Sequence, residues 1–330
     1  MTTTGQRIPL NTLAIAFGLA GLAGAWSAAV RLLGVPAVVA EGLWIVASIA
    51  WVWLIAAHLA RGFRSTESAA DQLRHPVQGP IAALVPLVGM LLGAHLHRLV
   101  PLAGTVLVIA SIVAVALLAG WMLSFWVRGG LKPESLHPGY LLPTVGGGLV
   151  ASLAATSIGL PAVAMGAFAV GIFFWLAIFP LLLARLAVLP ALPGPLTPTL
   201  AILIAPPVVA GSAWFAVMGE RDDPISQSLL ALTVVMLLLQ LALVPRYLRL
   251  TFSLGFWSFT FPFSATAVYG IEWLSVVAFP GWQLFAWLLL AVVTVLIVGI
   301  SIRSLVLVGG ARRGSREAER ELVVADDALG

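Results

Sequence analysis

Ten runs of about 20 apolar residues divide the chain, at roughly 11–30, 39–60, 78–97, 101–126, 138–158, 161–184, 198–218, 226–245, 252–275 and 280–305. A run of that length crosses the hydrocarbon core of a bilayer as a helix. Helices are one of only two backbone forms that satisfy every N–H and C=O there. The pattern therefore predicts an all-α integral membrane protein. Composition agrees: 61% of the 330 residues are hydrophobic and 9% are charged, and mean hydropathy is +1.08. A single soluble core of this size cannot hide so much apolar surface. The first run is longer than the 7–15 residues of a signal-peptide core, so a retained helix is expected.

The chain has no cysteine, which excludes disulfides, thiolate catalysis and Cys-ligated metals. Its net charge of +4 is a small excess of 17 basic over 13 acidic residues. Placement of the basic residues fits membrane topology better than a nucleic-acid partner. The N-terminus, the loops after the even-numbered runs and the C-terminal end hold 14 of the 17; the exceptions are Arg31, Arg98 and Arg221. Because Lys and Arg concentrate on the cytoplasmic side, both termini are expected in the cytoplasm. Three regions follow: a cytoplasmic N-terminus over 1–10, a transmembrane domain over 11–305 and a polar cytoplasmic tail over 306–330.

Prolines within the runs mark a repeat. Pro86, Pro143, the pair Pro206–Pro207, and Pro262 lie in runs 3, 5, 7 and 9, at intervals of 57, 63 and 56 residues. Each interval is about one helical hairpin. Run 1 has no such proline but carries Gly18, Gly21 and Gly24 at every third residue. Proline kinks a membrane helix, and glycine permits bending or close packing. The expected architecture is five hairpins, with five kinked odd-numbered helices inside around a pore and five even-numbered helices outside. Gly146 and Gly147, beside Gly148, fit either a space along that pore or tight packing. Gly89 and Gly93, a GxxxG pair, fit packing.

Run 9 has two faces. Phe252, Phe256, Phe259 and Phe263 are spaced 4, 3 and 4 residues apart and form one stripe. Such a stripe suits lipid or the outer helices. Phe261 lies about 200° away from Phe259 around the helix. It shares its face with Trp257, Ser258, Ser264, Ala265 and Val268, a smaller and more polar set that suits a pore wall. On pattern alone, Phe261 fits a pore and ordinary packing equally well.

Ionisable residues deep in the runs are scarce. Glu41, Arg185, Glu272 and Arg303 lie near run ends, where they are expected to reach an interface. His95 and His97 do not share a helix face, and no metal site is expected there. No paired carboxylates, HExxH or Ser/His/Asp set is evident, so neither an enzyme nor a resident cofactor is expected. Trp26, Trp126 and Trp282 lie near run ends, as interface anchors do.

Several segments carry a family resemblance. They are His75-Pro76-Val77, Leu142-Pro143-Thr144-Val145 followed by Gly146 to Gly148, Ala205-Pro206-Pro207, and Gly255-Phe256-Trp257-Ser258-Phe259-Thr260-Phe261-Pro262. In this order on a ten-run background, the chain resembles bacterial tellurite-resistance proteins of the TehA type and plant slow-type anion channels over about residues 9–305. Yeast malate permeases and sulfite exporters are more distant relatives. The resemblance implies a homotrimer in a cell membrane, one pore per protomer, small anions as the permeating solutes, and a gating phenylalanine that corresponds to Phe261. Bacterial relatives often have Gly at the next position, where this chain has Pro262. The leading reading is a passive pore for small monovalent anions. The alternatives are a carrier or exporter of dicarboxylates such as malate, of tellurite or of sulfite, and a non-transporting membrane sensor or assembly partner.

Reporter fusions at Gly330 and within residues 219–225 are expected to report opposite sides of the membrane. The same side for both would break the ten-span topology.

Overall fold

The computed structural model describes residues 8–62, 65, 68–129 and 131–327, and among them there are helices and turns but no strand. The α-helices are α1 (Ala14–Leu33), α2 (Val38–Gly62), α3 (Ala69–Arg74), α4 (Leu84–His97), α5 (Pro101–Trp126), α6 (Gly147–Ser157), α7 (Pro161–Val188), α8 (Ala205–Met218), α9 (Pro224–Tyr247), α10 (Thr260–Val277) and α11 (Trp282–Asp327). Nine helical segments of the described residues are long and apolar enough to cross a membrane. The sequence expects ten. The remaining run does form a helix, α10, but its hydroxyl residues, Pro262 and Glu272 leave it short of that apolarity. The last helix also outlasts its apolar run: α11 continues through the charged segment to Asp327.

The prolines change the helix type where simple kinks are expected. The chain enters α1, α4, α8 and α10 through 3-10 turns at Leu10–Leu13, Gly79–Ala83, Gly194–Ile204 and Leu254–Phe259. It enters α6 through a 3-10 turn, Pro138–Leu141, and then a π turn, Leu142–Gly146. Pro86 and Pro262 are the third residues of α4 and α10, and Pro206 and Pro207 are the second and third of α8. In a first turn the missing N–H removes no α-helical bond. The carbonyl four residues earlier, with which each ring would clash, belongs to Ala82, Gly139, Ile202, Leu203 or Ser258. Each of these lies in a 3-10 turn.

Burial separates two kinds of helix. In the segments that contain α1, α4, α6 and α8, 61–83% of the most apolar stretch is buried, against 17–28% in those of α2, α5, α7, α9 and α11. The inner contacts close a ring: α1 on α4, α4 on α6, α6 on α8, α8 on α10, and α10 back on α1. Each ring helix also packs against the helix that follows it in the chain, apart from the short α3.

Glycines set the closest approaches. A Cβ on Gly104 of α5 would lie 2.2 Å from the His97 backbone nitrogen, and one on Gly93 of α4 would lie 2.9 Å from that of Val108. A Cβ on Gly148 of α6 would lie 2.6 Å from the Gly171 nitrogen of α7. Loops are tied by capping. Asp223 Oδ1 accepts from the Ile225 and Ser226 backbone N–H groups, each at 2.9 Å, and Asp223 Oδ2 accepts from Trp214 Nε1 at 2.8 Å. The Ser226 and Trp214 hydrogen bonds, in that order, hold the Asp223 carboxyl below the usual carboxylate range.

Gly104→Ala is expected to destabilise the protein by roughly 1–3 kcal/mol, because backbone rather than a flexible side chain stands in the way. Gly120→Ala, on the same helix with nothing within 4 Å of the added methyl, is expected to stabilise by up to about 1 kcal/mol. Thermal unfolding in mild detergent checks both.

Candidate permeation pathway

Two cavities lie along the axis of the helix ring. The first is bordered by the entry turns and first halves of the ring helices, from Asn11, Ala14 and Phe17 through Leu84, Leu142 and Ile202 to Trp257, Ser258 and Phe261. The second, roomier than the first, is bordered by their later halves, including Gly21, Ser27, Leu91, Leu153, Ser212, Ala265, Val268 and Glu272. All five ring helices contribute to both cavities in the same order, so all five run in the same direction past them. Val209 and Phe261 border both cavities and therefore stand between them.

Phe261 is 9% exposed and packs face to face on Phe17 of α1, with ring centroids 3.6 Å apart and planes 15° apart. The α1–α10 approach that brings these rings together depends on glycine. A Cβ on Gly18 would lie 1.9 Å from Thr260 Oγ1, and one on Gly21 would lie 3.0 Å from Ser264 Cβ and 3.1 Å from Phe261 Cδ2.

The residues singled out from sequence separate into two groups. Phe261, Pro206, Pro262, Gly146, Trp257 and Ser258 border the first cavity. Trp257 is fixed there by its Nε1, which donates to Ser304 Oγ of α11 at 2.9 Å. Pro86, Pro143, Pro207, Gly18, Gly147 and Ser264 border neither cavity. The prolines and glycines of this second group serve contact: Pro86, Pro143 and Pro207 are buried, and Gly147 lies where a Cβ would meet Val115 of α5 at 2.9 Å. Gly18 makes room for Thr260. Ser264 is buried against α1 with no hydrogen-bond partner for its Oγ. A proline at a helix entry does its work by ending the α-helical ladder, wherever its ring points.

The opposite stripe of run 9 forms a continuous chain of ring contacts, Phe252 to Phe256 to Phe259 to Phe263, with centroids 5.0, 5.6 and 6.2 Å apart. Phe259 also meets Tyr247 of α9 edge-on at 4.8 Å.

Charged groups depart most from the sequence expectation. Glu272 is buried and borders the second cavity. One carboxylate oxygen pairs with Arg31 Nη2 at 3.1 Å and the other accepts from Ser212 Oγ at 2.7 Å. Arg31 also pairs with Glu220, so one guanidinium joins the ends of α1 and α10 to the loop after α8. Arg185 is buried as well. His95 has a carboxylate partner after all, with Nε2 3.0 Å from Glu41 Oε2, and its ring stacks on Trp44 at 4.6 Å. Phe17, Val209 and the Arg31–Glu272 pair carry no sequence motif of their own. Only the ring closure brings them to the axis.

The chain is 27% identical over 268 residues to a tellurite resistance protein TehA homolog of Haemophilus influenzae, covering 79% of this chain and 81% of the relative. It is 25% identical over 311 residues to the S-type anion channel SLAH3 of Arabidopsis thaliana, covering 91% of this chain and 48% of the relative, so it spans about half the length of that plant protein. A third relative is the guard cell S-type anion channel SLAC1 of Arabidopsis thaliana, 30% identical over 159 residues that make up 48% of this chain and 28% of the relative. The SLAC1 family, described as voltage-dependent anion channels, matches residues 7–305. That match covers the whole helix ring and both cavities, and the chain belongs to this family.

Proposed function

We propose that this protein is a ten-helix membrane pore for small monovalent anions, with the two axial cavities as vestibules and Phe261 as the gate between them. The observation that carries the reading is the position of Phe261, bordering both cavities with its ring stacked on Phe17. Two stacked apolar rings across a path stop ions by dewetting, without any charge. Rotation of the Phe261 side chain joins the vestibules. The family and the printed names of the plant relatives support anions as the solute. The parallel course of the ring helices supports it weakly, since the positive ends of their dipoles face one mouth. That mouth is the cytoplasmic one if the distribution of Lys and Arg sets the orientation, with both termini inside. The resemblance to the family further supports a homotrimer in the cell membrane with one path per protomer. Mass measurement in several mild detergents is expected to give three chains per particle; a stable monomer or dimer throughout would exclude the trimer.

Phe261→Ala is expected to raise anion current substantially in planar bilayers. Phe17→Ala removes the stacking partner, worth about 0.5–1.5 kcal/mol beyond the burial of its ring, and that stacking loss is expected to raise open probability by no more than about tenfold. Phe259→Ala costs on the order of 3–5 kcal/mol of packing if its site cannot collapse and is expected to leave current unchanged. Equal currents from Phe261→Ala and Phe259→Ala would mean that general loosening opens the path. No change for a well-folded Phe261→Ala would remove Phe261 as the gate.

A further inference from the structure

Arg185 is the one buried Lys or Arg among the described residues. It lies in the last turn of α7. Its Nη1 donates to the Pro190 carbonyl at 3.0 Å and its Nη2 to the Glu134 carbonyl at 3.3 Å, while Nε has no partner. No carboxylate of the described residues lies within 4 Å of it, since the ion pairs there involve only Arg31 and His95. Two neutral carbonyls satisfy donors but leave the charge unmatched. A buried, unmatched charge is costly, and within membrane proteins such charges mark solute pathways.

The surroundings are rich in donors. Three residues after Glu134 stands His137, fully buried and bordering the first cavity. Its Nδ1 accepts from the Gly139 backbone N–H at 3.1 Å, so a neutral ring carries its proton on Nε2. The Tyr140 ring meets the His137 ring edge-on at 5.3 Å, and the Tyr140 hydroxyl is buried without a hydrogen-bond partner. The 3-10 turn Pro138–Leu141 that carries Tyr140 packs directly on α7.

Resting on the reading of this protein as an anion pore, we propose that Arg185, acting through the wall that His137 forms, is the fixed charge that makes the first cavity select anions over cations. Exposed loop cations do this poorly, because salt screens them within about 8 Å at physiological ionic strength. A guanidinium held in low dielectric keeps its field. Arg185 touches no solute in this scheme. It is a positioning charge, and the carbonyls of Glu134 and Pro190 hold it in place.

The test is the reversal potential of the full-length protein in bilayers under a sodium chloride gradient, in a Phe261→Ala background that keeps the path open. Arg185→Gln is expected to lower the chloride-to-sodium permeability ratio at least about threefold, while Arg185→Lys keeps it near the starting value. Both variants lose the two-carbonyl fork, so a purely structural Arg185 predicts the same result for both and overturns the proposal. Ser135→Glu leaves Arg185 in place and adds a carboxylate one residue from the Glu134 carbonyl. It is expected to lower the ratio as Arg185→Gln does, and it decides the matter if Arg185→Gln fails to fold. An unchanged ratio in folded Arg185→Gln or in Ser135→Glu overturns the proposal. No chloride current at all in the Phe261→Ala background overturns the pore reading itself, and this inference with it.

Discussion

Inside a bilayer no water is present to bond a free backbone group, so every change of helix direction must be compatible with a nearly complete internal ladder. In this chain five helices meet that constraint in the same way. Each enters through a 3-10 or π turn before becoming α-helical. In four of them a proline sits at or next to the switch, where its missing N–H takes nothing from the α ladder. The switch changes the pitch of the chain at the entry end of each helix. Repeated in parallel around a closed ring, it leaves one space at the entry ends and another at the exit ends. The two cavities are thus a consequence of where the ladder changes pitch.

What lies between the cavities depends on how closely α1 and α10 approach. Gly18 and Gly21 admit Thr260, Ser264 and Phe261 to distances that a side chain on α1 would forbid. With the backbones that close, Phe17 and Phe261 lie in face-to-face contact between these two neighbouring helices. At the far end of the same two helices, Arg31 and Glu272 form an ion pair that Ser212 and Glu220 complete. Packing at one level and charge at another therefore fix the relative position of the two helices that bear the stacked rings. The outer helices have a different task. They present apolar faces outward and hold the ring through glycine contacts such as Gly104 on His97 and Gly148 on Gly171.

Polar chemistry along the path is sparse and unevenly placed. The first cavity takes its polarity from Asn11, His137, Thr199 and Ser258, within walls that are otherwise apolar. The second holds Ser27, His95, Arg98, Ser157, Ser212 and Glu272. No buried residue offers a solute a strong ionic grip in the first cavity, and weak binding is what conduction needs. In the scheme proposed above, the buried Arg185 acts from behind that wall and adds a field without adding a tight site.

By itself, the sequence determined the membrane class, the number of long apolar runs and the recurrence of deep prolines in runs 3, 5, 7 and 9, because lipid imposes length and composition on any spanning segment. It also determined the two faces of run 9, since helical period alone separates Phe261 from Phe259. It did not reveal that the prolines switch helix type, because a missing N–H is compatible with a kink or with a new ladder. Nor did it reveal Phe17, an apolar residue in an apolar run with no local mark of its role. The charged residues were misplaced for a related reason: Glu272 and Arg185 lie near run ends in the sequence, where snorkelling to an interface is the simpler expectation. Only the tertiary structure buried them, by setting Glu272 opposite Arg31 from another helix and by closing the carbonyls of Glu134 and Pro190 over Arg185. Periodicity describes one helix at a time, whereas a cavity, an ion pair and a stacked pair of rings from α1 and α10 each need at least two.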